Sequence, residues 1–237
     1  ITQLGKLANS NVGNSVSSSC ARGPRASCGG DECSDSIIPS QPIPVNYCLC
    51  FNWNMAEKTS TVKDAIREWE QTTGDKAVAA RELDLQFFYP PISVMDSSLL
   101  SLDKCEKLFL STNVIGKIQN LQNMKSLTVL SLARNSITTI AGIESVAGTL
   151  EELYLSYNHI NNLKGISVMN KLKTLYLNNN ALKDINEVLR ISDLPFVEDV
   201  SFIGNPVSER MEESEWQQIM YKKVPNLRRL DGAFRTY

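Results

Sequence analysis

From Cys105 onward, one set of apolar residues and a single asparagine returns at an almost constant interval, and few architectures satisfy such a constraint. Cys105, Leu108, Leu110, Asn113, Ile115 and Ile118 form the first full copy. Leu127, Leu130, Leu132, Asn135, Ile137 and Ile140 repeat it, then Leu150, Leu153, Leu155, Asn158, Ile160 and Leu163. Leu172, Leu175, Leu177, Asn180, Leu182 and Ile185 follow, and Val197, Val200, Phe202, Asn205 and Val207 close the series. Successive asparagines are 22, 23, 22 and 25 residues apart. This is the LxxLxLxxNxL signature of leucine-rich repeats. A unit this small cannot bury its own apolar side, so neighbouring units must stack. The expected fold is therefore an α/β leucine-rich-repeat solenoid of the 22-residue type, with repeats over residues 83–207.

Each position has a physical reason. The LxL core has period 2, so it makes a short strand whose two leucines point inward. The asparagine stands where the chain leaves the strand, and its amide both donates and accepts. It can satisfy backbone groups that the turn would otherwise bury without partners.

A solenoid needs covers at both ends. Upstream, residues 55–82 are expected to hold a capping helix. Thr61 and Asp64 suit a capping box, Val62, Ala65, Ile66 and Trp69 share one helical face, and Gly74 suits the helix end. Leu83 and Leu85 then give a degenerate first strand, and Pro90-Pro91 forbids a helix there. Downstream, residues 208–237 form a helical cap. Trp216, Ile219, Met220 and Val224 make its apolar stripe, and Leu227 and Leu230 a last half-repeat.

Residues 1–54 are different in kind, with nine serines, five glycines, four prolines and no sustained period. They lack the basic start and continuous apolar centre of a secretory signal. The first methionine is Met55. The stretch is expected to be upstream sequence translated in frame, with the working chain starting at Met55, or else a disordered extension. Cys20, Cys28, Cys33, Cys48 and Cys50 cluster there, in spacings that fit no paired zinc site and with no histidine nearby. The body keeps one thiol, Cys105, and no glycosylation sequon, which suits a reduced, intracellular protein. No apolar run approaches the roughly 20 residues that span a bilayer, so no membrane partner is expected.

The residues flanking each LxL leucine face outward on the strands. Those between the core pairs are Asp84, Phe109, Ser131, Tyr154, Tyr176 and Ser201, and Val129 precedes one of them. Phe109, Val129, Tyr154 and Tyr176 should form an apolar-aromatic patch on adjacent strands, with Tyr157 near its edge. Lys107, Arg134, Glu152 and Asp199 would rim it, acids and bases in equal number. Such a patch suits a protein interface. Stacked bases are the rival use of the tyrosines, but a nucleic-acid groove would also need a run of cations. The net charge of −2 supplies no such excess. Catalysis lacks material: His159 is the only histidine, no nucleotide or hydrolase motif is present, and Cys105 occupies a core position. No enzyme activity, cofactor or metal is expected.

Residues 55–232 also resemble the leucine-rich-repeat light chain of axonemal outer-arm dynein. The resemblance rests on "TVKDAIREWEQTTG", "YPPISVMDSSLLSLDKCEKLFLSTNVIGKI", "LEELYLSYNHINNLKGI", "FIGNP" and "VPNLRRLDG". Generic repeat proteins share the leucines and asparagines, but not the variable residues between them. The resemblance implies a non-catalytic subunit bound to a dynein heavy chain at its microtubule-binding stalk tip, tuning motor engagement in cilia and flagella. Tubulin is a further possible contact. The implied location is the cytoplasm and cytoskeleton, in the ciliary axoneme. Phe109, Val129, Tyr154 and Tyr176 are the implied contact residues, with Trp216 in the C-terminal helix. Relatives usually continue beyond the position of Tyr237 into a charged tail, so the resemblance does not carry that tail's contacts over to this chain. The other reading of the same residues is a regulatory subunit of a phosphatase or spliceosomal complex, which shares the repeat and the final cap.

Overall fold

The computed structural model describes residues 58–235. The readings made for residues 1–54, their cysteines and the Met55 start lie outside these residues. Thr61 caps the first helix, α1 (Val62–Thr73), as its spacing from Asp64 predicts. The Thr61 hydroxyl accepts from the Asp64 amide, and the Asp64 carboxylate accepts from the Thr61 amide at 3.1 Å. The Thr61 hydroxyl also donates to the Asp64 carboxylate at 2.8 Å, and this bond together with the Thr61 amide holds the carboxyl below its ordinary pKa. Gly74 ends the helix in the left-handed region and donates to the Glu70 carbonyl. Val62 and Ala65 are buried in the core, with Ile66 and Trp69 packed against it.

Just before this helix, strand β1 (Ser60–Thr61) pairs in parallel with β3 (Ile92–Val94), which follows the Pro90-Pro91 step. The main sheet begins with β2 (Glu82–Asp84). It continues through β4 (Lys107–Phe109), β5 (Val129–Ser131), β6 (Glu152–Tyr154), β7 (Thr174–Tyr176) and β8 (Asp199–Ser201). The strands β9 (Arg229–Leu230) and β10 (Ala233–Phe234) complete it. Neighbours pair in chain order, all parallel except the final β9–β10 hairpin. Registers are one to one, so Leu83, Leu108, Leu130, Leu153, Leu175, Val200 and Leu230 lie in a single buried row.

The asparagines form a second internal row, and each bridges two coils. Asn158 donates to the Leu155 carbonyl of its own coil and to Leu132 of the previous one, at 3.1 and 2.9 Å. Its Oδ1 accepts from the Ile137 amide at 2.9 Å. Asn135 and Asn180 repeat this pattern, and so do Asn113 and Asn205 at the two ends. The coils therefore share carbonyl acceptors as well as leucine packing.

The return side of the coils is built from short 3-10 turns at Ser97–Ser101, Ile143–Val146 and Ile166–Val168. Gly142 opens the second of these at φ 101°, and a Cβ there would lie 2.1 Å from the Ile118 carbonyl oxygen. No other residue fits. The longest coil carries α2 (Ile185–Val188) and a 3-10 turn at Leu189–Asp193, and its extra length stays on this side.

After β8, α3 (Pro206–Glu209) and α4 (Glu213–Lys223) cover the last coil. The Trp216 ring packs edge to face on Phe202, with centroids 6.0 Å apart. Its indole N–H donates to Asp231 at 2.8 Å, and Asp231 also accepts from the Phe202 amide and the Ser201 hydroxyl.

Candidate partner-binding face

Parallel pairing lines up the outward side chains into rows across the concave side of the sheet. The row before the leucines runs Glu82, Lys107, Val129, Glu152, Thr174, Asp199 and Arg229. The row after them runs Asp84, Phe109, Ser131, Tyr154, Tyr176 and Ser201. Phe109, Val129, Tyr154 and Tyr176 are half-buried on adjacent strands. Phe109, Val129 and Tyr154 line one shallow hollow together with Gln86, Lys107, Ser131 and Glu152. Tyr176 extends this surface toward the C-terminal end, its ring edge to face with that of Tyr154.

The tyrosine hydroxyls are tied down. Tyr154 donates to Glu152 at 2.7 Å and Tyr176 to Asp199 at 2.9 Å. Burial, reinforced by these carboxylates, pushes both phenols above their ordinary pKa. Arg229 donates to the Tyr176 hydroxyl at 2.8 Å and forms a close ion pair with Asp199, which raises the guanidinium's pKa further. At the N-terminal end, Lys107 pairs with Glu82 at 3.2 Å.

Tyr157 and Arg134 lie where the strands turn out of the sheet, both with left-handed backbone. Tyr157 is 48% exposed, and the Arg134 guanidinium sits 4.4 Å above its ring centre. They form a cation–π pair at the rim.

Three expectations need correction. Trp216 is 4% exposed, sandwiched between Phe202 and Asp231, so it holds the cap and offers no surface to a partner. Ser201 faces the cap rather than solvent, because Asp231 folds back over it. The charge balance is acidic rather than even: Glu82, Asp84, Glu152 and Asp199 stand against Lys107 and Arg229 on the sheet rows. That excess works against nucleic acid, whose phosphates need cations. Arg229 was absent from the sequence-derived site. Its signal is the half-repeat Leu227–Leu230, whose register with Val200 puts Arg229 beside Asp199.

Residues 149–199 match the family model described as leucine rich repeats, in two copies. A rat protein named dynein axonemal light chain 1 is 50% identical over 177 residues, covering 74% of this chain and 93% of the relative. The Chlamydomonas reinhardtii protein of the same name is 41% identical over 179 residues, covering 74% and 90%. This chain belongs to the dynein axonemal light chain 1 family. Among solved structures, a Listeria monocytogenes internalin superposes with a TM-score of 0.51 at 19% identity, over 61% of this chain and 39% of the internalin. That likeness concerns the repeat fold alone.

Membership of the dynein axonemal light chain 1 family makes this chain a dynein light chain. The Cys105 thiol is buried and pushed up to about 11, so it is a poor nucleophile at neutral pH. His159 is exposed beside Asn158, and its backbone amide alone is engaged, by the Ile137 carbonyl. Among the described residues no cluster of histidine, cysteine and acidic side chains could hold a metal ion. Nor is any helix there long and apolar enough to cross a membrane.

Proposed function

We propose that this chain is a non-catalytic light chain of axonemal outer-arm dynein that docks on a heavy chain near its microtubule-binding stalk tip. From there it modulates how the motor engages the microtubule in ciliary and flagellar motility, with tubulin close enough to be a second contact. The family supports an association with dynein and a place in the axoneme. The observation that carries the docking mode is the run of Phe109, Val129, Tyr154 and Tyr176 across four adjacent parallel strands. Aromatic anchors of this kind, ringed by polar residues, form the energetic centre of protein interfaces. The rim would be Lys107, Arg134, Glu152 and Tyr157.

The test is affinity capture from ciliated-cell extract with the tagged full chain, with captured proteins identified by mass spectrometry and then purified for direct binding. Recovery of an axonemal heavy chain, and its direct binding through the stalk head, supports the proposal. Recovery of a phosphatase catalytic subunit or a small nuclear ribonucleoprotein in its place sinks it.

A further inference from the structure

The concave face carries two carboxylate–tyrosine pairs, and among the described residues only one of them is completed by a cation. At the C-terminal end, Asp199 and the Tyr176 hydroxyl are bridged by Arg229, which bonds both. In the middle of the sheet, Glu152 and the Tyr154 hydroxyl make the same kind of pair at 2.7 Å. No cation completes it among the described residues. The cross-strand neighbours of Glu152 are Val129 and Thr174, neither of which carries charge. The nearest base on that row, Lys107, is held by Glu82 at 3.2 Å, and Lys173, which feels the Glu152 charge, is ion-paired with Glu151 at 2.7 Å.

This open pair forms one wall of the hollow whose remaining surface includes Phe109 and Val129. We propose that the hollow receives an arginine side chain of the docking protein. Its aliphatic stem would lie on Phe109 and Val129, and its guanidinium would meet the Glu152 carboxylate beside the Tyr154 ring. The inference rests on the concave face being the docking surface.

The chemistry selects against other occupants. A wholly apolar side chain would strip water from Glu152 and return nothing. An acidic group would meet the Glu152 carboxylate, while Lys107 in the same lining is already paired with Glu82. A guanidinium offers planar donors to the carboxylate and a face to the aromatic ring, and its stem tolerates apolar surroundings. The chain already uses both contacts elsewhere, with Arg229 on Asp199 and Arg134 over Tyr157.

Two measurements test this on the full chain. In the first, n-butylguanidinium and the uncharged n-butylurea are titrated while the Val129 methyl signals are followed by NMR. The guanidinium should bind several-fold more tightly than the urea, and Glu152→Gln should remove the difference. Equal responses, or a preference that survives Glu152→Gln, overturn the inference. Glutamine keeps an acceptor for the Tyr154 hydroxyl, so the fold and the hollow remain.

In the second, binding to a recombinant heavy-chain stalk head is measured across salt concentrations. Glu152→Gln should weaken it about tenfold at low salt and flatten its salt dependence. If Glu152→Gln binds like the parent chain while loss of Tyr154 and Tyr176 abolishes binding, the docking face stands and the arginine proposal falls. If the parent chain does not bind the stalk head, the docking reading falls and the guanidinium titration alone decides this one.

Discussion

The rings of Tyr154 and Tyr176 meet edge to face, with centroids 5.3 Å apart and planes at 83°. Each hydroxyl is anchored to a carboxylate on the same sheet face, so neither ring needs ordering when a partner arrives. Preordered aromatics lower the entropy cost of association. Tyr154→Ala combined with Tyr176→Ala should therefore weaken heavy-chain binding by about 2 kcal/mol or more. The circular dichroism spectrum should be retained, because the leucine row beneath is untouched. His159→Ala, on the outer turn, is the control. Equal binding of the two variants would move the docking site off the concave face.

Asn158 makes three bonds to three backbone groups in two coils. Asn158→Leu should cost about 3 kcal/mol, since a buried amide and two carbonyls lose their partners together. Hydrogen exchange should accelerate at Ile137 as well as in its own coil. A neutral substitution would mean that water replaces the amide and that the ladder is dispensable.

Glycine at 142 is required by both conformation and space. Gly142→Ala would press a methyl group onto the Ile118 carbonyl while holding an unfavourable φ. A loss of about 3 kcal/mol in urea denaturation is expected. At Gly148, where a Cβ meets nothing within 4 Å, the same change should stay within about 0.5 kcal/mol. Comparable losses at both positions would contradict the coil geometry.

The Cys105 thiol supplies a pH-dependent measurement. Its pKa stands at about 11 against an ordinary 9.0, chiefly through burial. The folded state thus holds the proton more tightly than the unfolded chain. The associated stability is complete below pH 9 and is lost as pH rises toward 11. At pH 8.5, iodoacetamide should label Cys105 roughly a hundredfold more slowly in the native protein than in urea, as mass spectrometry of the Cys105 peptide would show. Native labelling at the unfolded rate would show that the thiol is not in the core.

The strand registers were legible from sequence because each LxL triplet places its leucines by alternation alone, and an asparagine fixes the phase of every coil. Thr61, Asp64 and Gly74 marked the first helix for equally local reasons. What escaped depends on contacts between distant segments. Trp216 and a solvent-facing anchor look alike until Asp231, fifteen residues on, is seen to accept its N–H. The β1–β3 pair carries no apolar alternation that would announce it. Arg229 joins the face only when the half-repeat after Pro225 is counted as a strand, whose register sets it beside Asp199.

The coil that ends at Asn205 is three residues longer than the standard 22-residue step, yet β7 and β8 still pair one to one. The additional length is taken up by α2 and the turn behind it. Length and recognition are therefore separable in this molecule. The return side is open to insertion, deletion or the grafting of a tag or fluorophore loop, while the strand side keeps its spacing because every asparagine bonds both its own coil and the preceding one. A probe inserted near Arg190, in the turn at Leu189–Asp193, would leave the strand rows and the proposed docking face unaltered.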